Sequence, residues 1–292
     1  MILTLLLTAL GITAIIYMVA LMRGLAAQAL RRPRIEAVIL GAVTNFFDTL
    51  GIGSFAPTMA WLKFRRLAPD RLIPPTLLAG HALPTIVQSA IFLALLGVEV
   101  DPLLLLGCII AMVLGGFLGV PLAERAPVRV VQIIVALALL IAAGFYTATN
   151  LALMPGGGQA STLPLTLTLL AIALQLVLGI LQNFGVGAYA PTLVALSLFG
   201  MDPRYAFPIM TSAVAFSISA SAIRRVRSRD LDLRFATGMA IGGVPAVLIA
   251  AFLVRSMPIL ILRWLVVAVV LYAALILIRS AVTPKRQPPS EI

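Results

Sequence analysis

Apolar residues in this chain come in blocks of about twenty that recur from end to end. Blocks near 3–22, 72–97, 102–123, 130–148, 205–223, 233–254 and 258–279 are each long enough to cross a hydrocarbon core of about 30 Å. In lipid the backbone must satisfy its own polar groups, so these blocks predict spanning helices; the short alternating segments of a barrel are absent. Two further apolar segments, 35–62 and 169–199, are broken in the middle. The first reads DTLGIGSFAPT at 48–58 and the second QNFGVGAYAPT at 182–192.

The two breaks align without gaps at an offset of 134, with Gly51, Gly53, Ala56, Pro57 and Thr58 matching Gly185, Gly187, Ala190, Pro191 and Thr192. The same offset carries Pro69 onto Pro203 and Pro74 onto Pro208. Further on, GGFLG at 115–119 and GMAIG at 238–242 share a small-xxx-small spacing that lets helices approach closely in lipid. Pro127 and Pro258 each stand at the start of the last helix of a half.

Charge adds orientation. Basic residues fall in short clusters: Arg23 to Arg34, Lys63 to Arg71, Arg125 with Arg129, Arg224 to Arg234, and Arg279 to Arg286. Short loops rich in Lys and Arg stay in the cytoplasm, whereas 97–102, 150–162 and 200–205 are poor in basic charge and are expected outside. If the first two clusters share a side, segment 35–62 enters and leaves on that side, as a re-entrant hairpin turning at DTLGIGS. Segment 169–199 does the same from the outer side. The alternative is a pair of kinked full spans, which puts one basic cluster outside. Each half is then a hairpin plus three crossings, and an odd number of crossings inverts the second copy. Arg204, Arg255 and Arg263 are the basic residues left over.

The expected fold is therefore an all-α polytopic membrane protein in one transmembrane domain, 1–292. It comprises an N-terminal helix (1–30), repeat 1 (35–148), repeat 2 (163–280) and a cytoplasmic tail (281–292). The first apolar block has no basic residue before it and no small-residue cleavage site, so it is read as a retained helix.

Composition removes several functions. The chain is 62% hydrophobic and 11% charged, with mean hydropathy +1.13, far from the quarter of charged residues usual in soluble domains. The net charge of +11 sits at helix ends without aromatic interleaving, so it reads as topology charge and no nucleic-acid partner is expected. One cysteine, Cys108, and one histidine, His81, leave neither a disulfide framework nor a His/Cys metal site. GxSxG, HExxH and P-loop motifs are missing, so no enzyme and no cofactor is expected.

Inverted repeats broken at matching positions point to a transporter's midplane site. Gly51, Gly53, Gly185 and Gly187 let the chain turn, and Pro57 and Pro191 suit the first turn of a new half-helix. Half-helices starting near Ser54 and Ala188 would aim free N–H groups and positive dipole ends at the centre, a place for a small anion. Thr49 and Asn183 flank the turns, and Thr211 and Ser212 offer hydroxyls from a later span; these either line a path or bond their own helix carbonyls. Asp48 is an acid inside an apolar segment, hence a candidate proton carrier, with cation ligand and structural partner of a basic group as its other possible roles. Its counterpart is Gln182, which leaves one titrating group for one coupling proton. His81 is the second proton-coupling candidate.

The second break and the residues after it, GVGAYAPTLVALSLFGMDPRYAFPIMTSAVAFSISASAIRRVRSRDLDLRFATGMAIGG, resemble the TauE/SafE permeases. The resemblance covers the chain after the first helix, as two copies, and implies a permease of the bacterial cytoplasmic membrane that exports sulfite, sulfoacetate or related sulfur-containing anions. The turns depart from that family's GxGGG, with Ser54 and Ala188 in place of the later glycines, and the first half carries Leu77-Leu78 where the family has TS. The expected partners are a small anion and the bilayer, with room left for a homo-oligomer. A passive anion channel and a membrane-embedded enzyme or assembly subunit are the competing functions.

Overall fold

The computed structural model describes residues 2–27, 33–51, 53–69, 72–96, 99–123, 128–151, 153, 158–184, 186–228 and 231–282. Apart from one isolated β-bridge, its regular structure is helical: α1 (Ile2–Ala27), α2 (Ile35–Thr49), α3 (Phe55–Phe64), α4 (Ile73–Leu96), α5 (Pro102–Ala123), α6 (Val128–Asn150), α7 (Leu165–Leu181), α8 (Tyr189–Leu198), α9 (Pro203–Ser228), α10 (Leu233–Ser256) and α11 (Ile259–Val282). Six of these, α1, α4, α5, α9, α10 and α11, are long and apolar enough to cross a membrane. Several run past their apolar blocks. Helix α9 continues to Ser228 through Arg224, Arg225 and Arg227, because arginine favours helix and hydropathy does not mark a helix end.

Both breaks are real interruptions. Helix α2 stops at Thr49, and Gly51 and Gly53 take φ of 93° and 87°, values that side-chain-bearing residues rarely adopt. Helix α7 stops at Leu181 and passes through one 3₁₀ turn, 182–184, before α8. Helices α3 and α8 span 55–64 and 189–198, the same register at the offset of 134.

Each broken segment folds back toward its own start. The indole of Trp61 and the guanidinium of Arg65, at the end of α3, both donate to Glu36 in the first turn of α2, at 3.0 and 3.1 Å. The strip before α7 meets the turn after α8, where Ala160 and Asp202 donate to the carbonyls of Gly200 and Ala160. The two mouths lie at opposite ends of α4. The α2–α3 mouth adjoins the start of α4, since Arg34 reaches the Leu67 carbonyl and pairs with Asp232, whose N–H bonds Thr76. The other mouth adjoins the residues just after α4, where the Tyr205 hydroxyl donates to Glu99.

Packing repeats between the halves. Helix α2 lies along α10, and α7 along α5. The approach is close in both pairs. A Cβ on Gly238 would meet Ala37 at 2.7 Å and one on Gly242 would press on the Val38 carbonyl of α2. One on Gly119 would meet the Ile180 backbone at 2.7 Å, and one on Gly115 that of Leu176 on α7. Helices α4 and α9 cross at the centre, where the Phe92 and Phe207 rings sit 4.9 Å apart. Helix α9 is the most enclosed span and α1 the least, with 78% and 17% of their apolar windows buried, so α1 is peripheral. Outward faces carry exposed Ile15, Ile141, Ile249 and Leu275, a surface suited to lipid rather than water. Of the leftover arginines, Arg204 and Arg263 donate to the carbonyls of Met257 and Gly158, which holds them at the loop ends.

Candidate functional site

At the first break the chain supplies its own acidic cap. The Asp48 Oδ1 accepts the N–H of Ser54, 2.7 Å away, and Ser54 immediately precedes α3. Asp48 is 4% exposed and Ser54 1%. A carboxylate at a helix start satisfies an orphan N–H and complements the dipole. One turn on, the Thr58 hydroxyl donates to the Ser54 carbonyl at 2.7 Å. The same Thr58 oxygen lies 3.1 Å from Nε2 of His81 on α4, and His81 Nδ1 lies 3.0 Å from Oδ1 of Asn45 on α2. Asn45 Nδ2 donates to the Gly41 carbonyl at 2.7 Å.

The second break is built from neutral amides. Gln182, the counterpart of Asp48, donates to the Ser217 hydroxyl of α9 at 2.6 Å. No side chain caps the start of α8 at Ala188. Thr192, the counterpart of Thr58, accepts from Gln175 of α7 at 2.9 Å. The Tyr189 hydroxyl donates across the bundle to Gln88 Oε1 of α4 at 3.0 Å, and Gln88 Nε2 is buried without a hydrogen-bond partner.

A cavity of about 60 Å³ lies between the breaks, enough for a few waters or a small solute. The first break contributes Asp48, Gly53 and Phe55; the second contributes Gln182 and Val186 to Ala190; α4 adds Thr85, α6 Leu139, α9 Val214 and α11 Tyr272 with its neighbours. Its lining is mostly apolar. Among the described residues that line it there is no Lys, Arg or His, and Asp48 is the acid.

Of the residues expected from sequence, Asp48, Gly53, Gly187 and Ala188 line this cavity. Gly185 lies outside the described residues. Thr49 and Thr211 donate to carbonyls of their own helices, at Asn45 and Phe207, and Ser212 pairs with Ser89 of α4 at 2.8 Å. Asn183 reaches three carbonyls, those of Gly116, Gly179 and Ile180, and so ties the second turn to α5 and α7. Ser54 serves through its backbone, and Gly51, beside Leu193, shapes the turn. Pro57 and Pro191 are the third residues of α3 and α8. His81 lies behind the cavity, in the network with Thr58 and Asn45. Sequence reasoning passed over Phe55, Tyr189, Thr85 and Tyr272. The first two had a signal, since an aromatic residue stands at the same place in both breaks; the others had none.

Residues 155–291, just under half of the chain, match the family model described as Sulfite exporter TauE/SafE. Over this stretch the chain is similar to the TauE/SafE family. The matched region covers α7 to α11, hence the uncapped start of α8 and its face of the cavity. Neither the curated proteins nor the solved structures yielded a match. The TauE/SafE match and six helices long and apolar enough to cross a membrane support a membrane protein similar to a transporter family.

Proposed function

We propose that this protein is a secondary transporter of the bacterial cytoplasmic membrane that moves a small anion, sulfite or a sulfonate, together with one proton carried on Asp48. The supporting observation is a cavity shared by the two breaks, with a carboxylate on one side and an uncapped helix start on the other. The mouths of the two hairpins at opposite ends of α4 support inverted repeats, and with them alternating access around this cavity.

Magnitudes decide the coupling. A helix start contributes about 0.3–2 kcal/mol to a nearby anion. Two like charges 4 Å apart repel by about 4 kcal/mol at an effective dielectric of ~20. With no basic side chain among the described lining residues, an anion and an ionised Asp48 do not share the cavity. Anion binding therefore draws a proton onto Asp48, and by linkage the proton favours the anion. A monovalent anion then crosses with its proton as a neutral pair. Such a pair leaves the cell down its own gradient and ignores the membrane potential.

Proteoliposomes loaded with sulfite or a small sulfonate and an internal pH dye test this. Efflux should carry protons out, raise the internal pH and stay unchanged when a potassium potential is imposed. Potential-driven flux without proton movement would refute the coupling and favour a channel.

A further inference from the structure

The hydrogen bonds around His81 fix a proton count. A neutral imidazole has one N–H donor and one acceptor nitrogen, and an imidazolium has two donors. The Asn45 amide group donates to the Gly41 carbonyl, so its Oδ1 faces His81 Nδ1, and Nδ1 must carry a hydrogen. At the other nitrogen stands a hydroxyl with a single hydrogen. As placed, Thr58 donates to the Ser54 carbonyl, and His81 Nε2 must then donate to Thr58 as well. Two donors mean a protonated ring. If Nε2 is bare, the Thr58 hydroxyl turns toward it and the Ser54 carbonyl loses that bond.

We propose that His81 is a positioning residue, fixed as the Nδ1–H form by Asn45, whose proton at Nε2 directs the Thr58 hydroxyl onto the Ser54 carbonyl and so fastens the first turn of α3 behind Asp48. Ser54 is the joint: its N–H is held by Asp48 and its C=O by Thr58. Proton occupancy on α4 is thereby read out at the residue whose N–H meets the cavity's carboxylate. The surroundings suit a fixed ring. Phe55 of α3 packs at 5.5 Å between centroids, and Met239 of α10 closes over Gly80 next door. The ionisable groups brought near from other elements are Asp48 of α2, Tyr17 of α1 and Tyr189 of α8. They are engaged with Ser54, the Ala79 carbonyl and Gln88, respectively. The inference holds whichever solute is carried.

His81 is the chain's single histidine, so ¹⁵N-histidine labelling of protein purified without a histidine tag gives one ring to observe. In solid-state NMR of the protein in lipid, without substrate, Nδ1 should be protonated at every pH, and Nε2 should gain its proton as pH falls. Thr58→Ser keeps the hydroxyl and should leave that titration unchanged. Thr58→Val removes it and should lower the proton affinity of Nε2 about tenfold, the scale of one lost hydrogen bond to a charged group. A neutral ring protonated at Nε2 instead of Nδ1 would overturn the proposal, as would a Thr58→Val titration that matches wild type. If Thr58→Val fails to fold, the ring form in wild type and in Asn45→Asp still decides. The Asp48 carboxylate stretch in the infrared should shift with the His81 titration in wild type and in Thr58→Ser; a carboxylate indifferent to the ring would break the link through Ser54.

Discussion

The two hairpins share a backbone plan and differ in chemistry. Both have a first arm packed on a small-residue helix, a glycine-bearing turn, and a ten-residue second arm in the same register. Each ties its second arm inward through the threonine of APT. In the first hairpin Thr58 meets His81, which meets Asn45; in the second Thr192 meets Gln175 directly. Asp48 becomes Gln182, and the capped start of α3 becomes the uncapped start of α8. The two hairpins thus keep similar packing while an acid stands at the first turn and a neutral amide at the second. In the proposed carrier the ionisable copy would handle protons, and the neutral copy would leave the start of α8 for an anion.

That division can be broken experimentally. The largest effect is expected from the packing the hairpins share. Gly41 faces the backbone of Met239, and Gly179 that of Met112, so Gly41→Leu and Gly179→Leu should both abolish monodisperse protein in detergent chromatography. Overpacking by a single methylene already costs about 1–3 kcal/mol, and here backbone stands in the way. Survival of only one variant would show that the two packings are not equivalent.

Next comes the exchange of chemistries. Asp48→Asn should reduce proton movement with the anion to the background of protein-free vesicles, while anion exchange across the membrane persists. Gln182→Leu should leave proton coupling intact, because Gln182 donates to Ser217 and carries no charge. If Gln182→Leu abolished coupling as Asp48→Asn does, the division between copies would be wrong.

Smaller differences concern the ties. Asn45→Ala leaves a buried ring N–H without its acceptor and should cost about 1–3 kcal/mol in reversible unfolding. Gln175→Leu removes a donor from a threonine that keeps its shape and should cost about 0.5–1.5 kcal/mol. The least effect belongs to the mouth of the first hairpin. The Glu36–Arg65 pair at 3.1 Å is partly exposed, so Glu36→Gln should change stability by less than about 1 kcal/mol.

Much of this was legible in the sequence because a membrane makes errors conspicuous. Glycines, a proline and Asp48 inside apolar segments have no cheap explanation in lipid, and their recurrence at one offset located both turns. The lengths of α3 and α8 accord with that same offset. The inward-facing residues of the unbroken helices were not legible. Thr85 and Tyr272 lie in runs that are apolar all round, where no stripe says which face turns inward. Hydroxyls were ambiguous for a related reason: Thr211 is satisfied by its own helix, whereas Ser212, its neighbour, crosses to Ser89, and only packing separates the two. The His81 network joins residues from three helices, and no local spacing announces it.

Helix α1 belongs to neither half, yet Tyr17, well inside it, donates to the Ala79 carbonyl of α4, close to where Pro84 interrupts that helix's own bonding. In the proposed inverted pair, two halves of identical energy would make the inward-open and outward-open forms equally populated. The bond from Tyr17 adds to the asymmetry that Asp48 and Gln182 already impose. A difference of about 1 kcal/mol, the worth of one hydrogen bond, skews such a pair roughly fivefold. In the proposed carrier the odd helix out would thus help to set which side of the membrane the protein faces at rest.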